Sequence, residues 1–575
     1  MKKQYRVRNH RKTERIYTPV ADVGGYLRAL RAHGGKTAFV WKEKDGGHML
    51  SYEEFAELTE RFALGLRETL GESGESGEPV RVCLIGETSP YWIAGYLAVI
   101  AAGYTAVPMD KELDPEEISR FLAGAGVSAA IYSRAFDECF EAMAQGHPTL
   151  RTLIPMNREK RAEGKLVPYD TVLQRGQESG QAGAAFEADG DTERCCELLF
   201  TSGTTGSSKC VMLCQRNVFS VVSAACEAVP FTPEDVLVSV LPLHHTYELA
   251  CTLAACDYGC KICVNDSLRH VLKSFKEYQP TGLVLVPMFV TTMYKRILSE
   301  AKRSGKEKIL IGATKAAHLL GYLGIDMSEK LFRDVRDAFG GRLEKIICGG
   351  AALDPEMVQI FETFGISIYE GYGITECAPL VAVTPYYKRK PGSVGPAVSC
   401  CEIRIEGTET NERGFLSGEI QVRGENVMLG YRDNDEANEA AFTADGWFRT
   451  GDVGYLDEAG YLTITGRLKS VIVLDNGKNV FPEEIEEYLG NVDTIAESVV
   501  VGREEEDGTK LVAVILPNYA KYPEMSENDL RMEIQKEITL LNKRLPSFKQ
   551  IHKLEFRKTE FEKTTTKKIK RHLVK

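Results

Sequence analysis

The chain has 575 residues, 43% of them hydrophobic and 27% charged, with a formal net charge of −11. That length is too great for one core and predicts roughly two to four domains in a globular protein of ordinary composition. The acidic balance excludes a general nucleic-acid binder, which carries a basic footprint.

The N-terminus shows no apolar segment that reads as a signal peptide, so the 15 scattered cysteines read as reduced thiols and the expected location is cytoplasmic. Ser51 is placed to cap a helix over "YEEFAELTERFALGLRETL", whose apolar residues recur at helical spacing. The repeat "GESGESGEP" (71–79) then reads as an exposed loop, and "RVCLIG" (81–86) as a strand. Residues 91–109, "YWIAGYLAVIAAGYTAVPM", carry no charge and approach membrane-spanning length. Glycines, a threonine and Pro108 interrupt them, so a buried helix from Tyr91 to about Ala102 and a short strand are expected instead of a span. Peripheral membrane contact stays open.

Further strands are expected at "AAIYS" (129–133), "TGLVLVP" (281–287) and "KIICGG" (345–350), and a polar loop at 175–191. Cys251, Cys256, Cys260 and Cys263 are close enough to suggest a zinc site. They lie among Leu, Ala, Ile and Val with one C-x-x-C pair, and read better as buried small hydrophobes. From about residue 395 the chain turns to Gly-punctuated short strands, "CEIRIEGTETNERGFLSGEIQVRG" and then "GYLDEAGYLTITGRLKSVIVL", as hairpins of a β-subdomain. The last hundred or so residues return to alternating helix and strand, with a hairpin at "SVVVGREEEDGTKLVAVILP". The expected fold is α/β: a large N-terminal domain of α/β subdomains plus a β-subdomain, then a small α+β C-terminal domain.

Within this frame "LLFTSGTTGSSKCVML" (198–213) stands out. A buried-strand run empties into glycines, which permit an anion nest of backbone N–H groups, and into hydroxyls and one lysine. It lacks the Walker pattern, and alone it reads as phosphate loop or plain linker. Downstream come "LPLHHTYE" (241–248), "ICGGAAL" (347–353), "YEGYGITE" (369–376), the stretch "WFRTGDVGYLDEAGYLTITGRLKSVIVLDNGKNVFPEEIE" (447–486) and "KTTTKKIKR" (563–571). In that order the segments resemble the adenylate-forming superfamily of acyl-CoA synthetases, luciferases and adenylation domains. Cys210 departs from the family glycine.

The resemblance implies an ATP-dependent acid–thiol ligase using ATP, Mg²⁺ and CoA, with an N-terminal AMP-binding and acyl-binding domain over 1–467 and a mobile C-terminal domain over 468–575. Thr201, Ser202, Gly203, Thr204, Thr205, Gly206 and Lys209 would hold the β- and γ-phosphates, with Thr201 and Glu376 as Mg²⁺ ligands. His245 falls at the substrate-motif histidine. Gly350 and Ala351 would lie beside adenine, Tyr372 would stack on it, and Gly373 and Thr375 belong to the same segment. Asp452 would accept from the ribose hydroxyls, and Arg467 would help hold the nucleotide. Lys568, beside Lys567, aligns with the lysine that orients the carboxylate; Lys469 aligns with the hinge, and Gly477 with the pantetheine tunnel.

The segments around residues 241, 286 and 339, with an extra stretch from Lys302 to Arg333, look most like the long-chain fatty acyl-CoA synthetase branch. That implies activation of a medium- to long-chain fatty acid to an acyl-adenylate and then its thioester with CoA. Two other readings are an acyl-acyl carrier protein synthetase with the same first step, and a non-catalytic nucleotide-binding regulatory protein.

Overall fold

Helix starts follow the caps that the sequence offers. Ser51 opens the helix Tyr52–Leu70 with a reciprocal box: its Oγ accepts from the Glu54 N–H at 3.2 Å, and Glu54 Oε2 accepts from the Ser51 N–H at 2.7 Å. Ser89 caps the next helix, Pro90–Ala101, by accepting from the Trp92 N–H at 3.1 Å. That helix is buried along almost its whole length and is followed by the strand Thr105–Pro108. Among the described residues no helix is long and apolar enough to cross a membrane. The computed structural model describes residues 5–8, 14–43, 46–71, 79–156, 162–179, 186–201, 208–322, 328–411, 413–475, 478–505, 508–563 and 569–574.

The chain divides into two units, one of Met1–Thr201, Ser208–Glu402 and Val422–Phe442, the other of Ser202–Ser207, Ile403–Gln421 and Thr443–Lys575. The α/β architecture expected from the alternation of strand and helix is present.

The first unit holds two large sheets. One has the order Gly430–Tyr431, Lys209–Cys214, Cys195–Thr201, Thr105–Pro108, Arg81–Ile85, Ala129–Tyr132 and Thr152–Pro155; its last five strands run parallel and its first two are added antiparallel. The other is parallel from Ser367–Gly373 through Lys345–Cys348, Gly282–Leu285, Val236–Ser239 and Lys261–Val264 to Thr37–Glu43, with an antiparallel strand at each edge. A continuous apolar cluster of the helices Tyr52–Leu70, Pro90–Ala101, Gln215–Ala228 and Thr246–Asp257 joins strands of both sheets. Runs such as "GLVL" and "KIIC" are buried at every position, as parallel strands covered on both faces must be.

The second unit contains most of an all-β sheet of four strands: Cys401–Thr410, Leu416–Gly424, Phe448–Leu456 and Leu462–Arg467. It also has a three-stranded sheet in which Ile495–Glu505 and Gly508–Pro517 form the expected hairpin and Lys553–Phe556 lies parallel to the second strand. Leu489, Ile515 and Ile534 pack its separate core.

The loop expected at 175–191 is corrected at its start, because the helix Tyr169–Glu178 takes the first four positions. Its Gly, Gln and Ser content suggests a linker, but Val172 and Gly176 are buried and Tyr169 stacks on Phe62 with ring centroids 4.3 Å apart. Packing thus overrides local composition. The cysteine group separates between the helix Thr246–Asp257 and the strand Lys261–Val264. Burial pushes the Cys263 thiol up to about 12, as befits a small core side chain.

Candidate active site

The phosphate-loop candidate spans the end of one strand and the start of the next. Thr201 closes Cys195–Thr201, Lys209 opens Lys209–Cys214, and the two are directly paired in the antiparallel ladder. The Thr201 hydroxyl donates to the Lys209 carbonyl at 3.4 Å, and Ser208 Oγ donates to the Thr201 carbonyl at 3.1 Å. The mouth of the loop is therefore pinned on both sides. Ser202, Gly203, Thr204, Thr205 and Gly206 lie outside the described residues.

Cys210, the departure from the family glycine, is opposite Phe200 and packs with Phe200 and Met212 against an apolar cluster. Burial pushes its thiol up to about 12, so it stays a neutral thiol and acts as packing. Its carbonyl accepts from the Arg432 N–H at 2.8 Å, which ties the strand to the segment around residue 431.

Glu376 sits in the short turn Thr375–Cys377 that follows the strand Ser367–Gly373. Its carbonyl accepts from the Met428 N–H at 2.9 Å, and its Oε1 accepts from the Tyr431 hydroxyl at 2.8 Å. The Lys209 ammonium lies 4.3 Å from the centroid of the same tyrosine ring. Lys209, on a strand of one sheet, and Glu376, in the turn after a strand of the other, are thus brought to opposite parts of one buried side chain. Sequence reasoning missed Tyr431. Its strand, Gly430–Tyr431, is two residues long and carries no local pattern that singles it out.

The remaining first-unit residues gather at the carboxyl ends of parallel strands, where ligands of open α/β sheets bind. Gly350 and Ala351 are exposed just past Lys345–Cys348, and Gly350 has φ +86°, a left-handed conformation that glycine adopts without strain. Tyr372 and Gly373 end the neighbouring strand; a Cβ at Gly373 would come within 2.6 Å of the Pro379 carbonyl oxygen, so the turn needs glycine there. Tyr247 supports this edge from below, its hydroxyl 3.1 Å from the Leu285 carbonyl and 3.0 Å from that of Ile347.

His245 is the N-cap residue of the helix Thr246–Asp257, and its ring lies 4.0 Å from that of His244, centroid to centroid. Burial, and then the neighbouring His245, hold His244 well below the usual imidazole range, so it is neutral. Glu248 in the same motif is buried and accepts from Ser239 Oγ, and burial pushes its carboxyl up to about 8.

This raised value gives a pH prediction. A carboxyl whose folded pKa lies above its unfolded value stabilises the fold fully below about pH 4.5, and that contribution is lost as pH rises toward about 8. Glu248→Gln should therefore flatten the fall in urea midpoint between pH 5 and 8. An unchanged slope in the variant would show that Glu248 does not titrate there.

In the second unit Asp452 and Arg467 face each other across the strands Phe448–Leu456 and Leu462–Arg467, with Arg467 Nε 2.9 Å from Asp452 Oδ1. Asp452 is buried, and the Arg467 side chain is about half exposed at 47%. Lys469 is exposed in the turn Leu468–Ser470. Gly477, Lys567 and Lys568 lie outside the described residues. The flanks of the lysine segment are held: Lys563 bridges to Ile569, and Arg571 grips Glu486 with two hydrogen bonds of 2.7 and 2.5 Å.

The donor set fits Mg²⁺. The Thr201 hydroxyl and the Glu376 carboxylate are hard oxygen donors, and one or two protein oxygens are what Mg²⁺ takes when substrate phosphates and water supply the rest. Among the described residues no group of three or more His, Cys, Asp or Glu side chains is gathered as a metal cage.

Comparison with known proteins gives the same frame. Residues 27–432 match the AMP-binding enzyme family, and residues 469–575 match the AMP-binding enzyme C-terminal domain. The long-chain-fatty-acid–CoA ligase FadD15 of Mycobacterium bovis is 29% identical over 464 residues, covering 76% of this chain and 73% of its own. The chloroplastic long-chain-fatty-acid–[acyl-carrier-protein] ligase AEE15 of Arabidopsis thaliana is 27% identical over 582 residues, covering 88% and 78%. Among solved structures, ATP-bound MatB from Rhodopseudomonas palustris shares the fold with TM-score 0.72 at 23% identity, over 95% of this chain and 98% of that one. With family matches covering both the long N-terminal stretch and the C-terminal segment, the chain belongs to the AMP-binding enzyme family, within the adenylate-forming superfamily.

Proposed function

We propose that the protein activates a medium- to long-chain fatty acid with ATP and passes the acyl group to the thiol of CoA. The observation that supports the adenylation step is the convergence of Lys209 and Glu376 on Tyr431, which gathers a cation and a carboxylate around one side chain. The acid is proposed from the relatives, several of which are named long-chain-fatty-acid–CoA ligases.

A carboxylate does not acylate a thiol, because oxide would have to leave. Attack of a carboxylate oxygen on the α-phosphorus of ATP expels pyrophosphate and gives a mixed anhydride, from which AMP leaves when the thiolate attacks the carbonyl carbon. The protein's part is to position two anions and offset their charge. Lys209 and the loop from Thr201 through Ser202, Gly203, Thr204, Thr205 and Gly206 would hold the β- and γ-phosphates. Thr201 and Glu376 would hold Mg²⁺, which when bound neutralises phosphate charge and favours pyrophosphate departure. Tyr372, with Gly373, Thr375, Gly350 and Ala351, would hold the adenine, and Asp452 with Arg467 the ribose. His245 would lie beside the carboxylate, and Lys568 would pair with it in the adenylation step. Lys469 as hinge and Gly477 on the path of the thiol complete the proposed set.

The acceptor is the second question, since one relative is an acyl-carrier-protein ligase. The test is pyrophosphate release over acids from C2 to C18 with CoA or holo-carrier protein as acceptor. The expected result is turnover rising toward the long acids with CoA. Turnover with carrier protein alone would reassign the acceptor, and no ATP-dependent turnover with any acid would leave a nucleotide-binding regulatory protein.

A further inference from the structure

Lys209 and Glu376 approach the same tyrosine from different sides. The Tyr431 hydroxyl donates to Glu376 Oε1 at 2.8 Å, and the Lys209 ammonium stands 4.3 Å from the ring centroid. Tyr431 itself is only 6% exposed. Its backbone is held twice over: it pairs with Val211 in the antiparallel ladder, and Asn438 accepts from its N–H at 2.6 Å and donates to its carbonyl at 2.8 Å.

We propose that Tyr431 is a positioning residue of the nucleotide site, its hydroxyl fixing the Glu376 carboxylate and its ring face fixing the Lys209 ammonium. The inference rests on the reading above, in which Glu376 serves the metal and Lys209 the phosphates. A direct lysine–glutamate ion pair would neutralise both groups and would have to be broken before phosphate and Mg²⁺ could use them. A tyrosine between them orients each group and consumes neither charge: a hydroxyl bond occupies one lone pair of one carboxylate oxygen, and a ring face satisfies a cation without protonating anything.

The two arms can be separated by substitution. Tyr431→Phe removes the hydroxyl and keeps the ring; Tyr431→Leu removes both. The measurement is calorimetric affinity of the full-length chain for a non-hydrolysable ATP analogue, with saturating Mg²⁺ and with EDTA. For Tyr431→Phe the gain in affinity that Mg²⁺ confers should shrink by about tenfold, the scale of one charge-assisted hydrogen bond, with metal-free affinity unchanged. For Tyr431→Leu metal-free affinity should also fall, by roughly threefold to tenfold, the scale of one cation–π contact.

Glu376→Gln and Lys209→Met serve as controls. If neither lowers its own arm of the binding, the site reading fails. If both do while Tyr431→Phe keeps the full Mg²⁺ gain, the site reading stands and the role of Tyr431 is overturned. Equal loss with and without Mg²⁺ in Tyr431→Phe, together with a lowered melting temperature, would make the tyrosine a packing residue and also overturn it. Should Tyr431→Leu fail to fold, the Tyr431→Phe comparison decides alone.

Discussion

Lys568→Ala is expected to slow acyl-adenylate formation by roughly 10²–10³-fold, the usual effect of removing one preorganised donor from a developing negative charge. Carboxylate and α-phosphate are both anions, and their approach needs a cation that bonds to the carboxylate oxygen while charge builds at phosphorus. The second half-reaction, thiol attack on an adenylate already made, has no such encounter. The same variant should therefore convert a chemically supplied acyl-adenylate to thioester within a few-fold of the parent rate, a contrast typical of transition-state-specific loss. Single-turnover pyrophosphate release and thioester formation measure the two halves separately. Lys567→Ala is the matched control and should leave both near the parent rate. Equal loss of both halves in Lys568→Ala would remove the residue-specific role. A melting temperature equal to the parent's in Lys568→Ala is the accompanying check that the loss is chemical and not a loss of fold.

The largest stability effect is expected at the buried ion pair of Lys345 with Asp235. The ammonium lies 3.0 and 2.8 Å from the two carboxylate oxygens and 3.0 Å from the Pro230 carbonyl. The carboxylate also accepts from Thr281 Oγ1 at 2.6 Å and from the Thr232 N–H at 2.7 Å. Both side chains are nearly inaccessible, at 10% and 6% exposure. Asp235→Ala would leave the ammonium desolvated with a single carbonyl partner, and a cost of about 3–5 kcal/mol is the scale for breaking a buried pair from one side. Lys345→Met should cost less, because the carboxylate keeps its hydrogen bonds from Thr232 and Thr281. Combining it with Asp235→Ala should cost less than the sum, since no charge is then left buried. Urea unfolding of the three variants measures this; strict additivity would show that the groups are not coupled.

These two sites differ in how much of them could be read in advance. The caps at Ser51 and Ser89, the buried strands and the hairpin beyond residue 495 follow from local patterns, because a cap, a turn or a period of two is a short-range property. Lys209, Glu376, Asp452 and Arg467 were legible as members of ordered motifs. What joins them was not. Tyr431 is 55 residues from Glu376, and it sits on a two-residue strand that has no pattern of its own. Lys345 and Asp235 are 110 residues apart, and a lysine ahead of "IIC" reads as a strand-end charge until the parallel sheet sets it over Asp235. Long-range pairing fixes such contacts, and no local window contains it. The start of the 175–191 segment fails for the same reason, its linker-like residues being held helical by the neighbouring helix. Cys210 went the other way: conspicuous as a motif departure, it proves to be a packing residue whose side chain joins an apolar cluster.

Oxygen tracing tests activation through an acyl-adenylate. A fatty acid carrying ¹⁸O in both carboxylate positions is incubated with the protein, ATP, Mg²⁺ and CoA, and the nucleotide product is examined by mass spectrometry. The expected product is AMP bearing one ¹⁸O, because the attacking carboxylate oxygen becomes the bridge to phosphorus and leaves with AMP when the thiol attacks carbon. Unlabelled AMP, or label in inorganic phosphate with ADP as the nucleotide product, would contradict it.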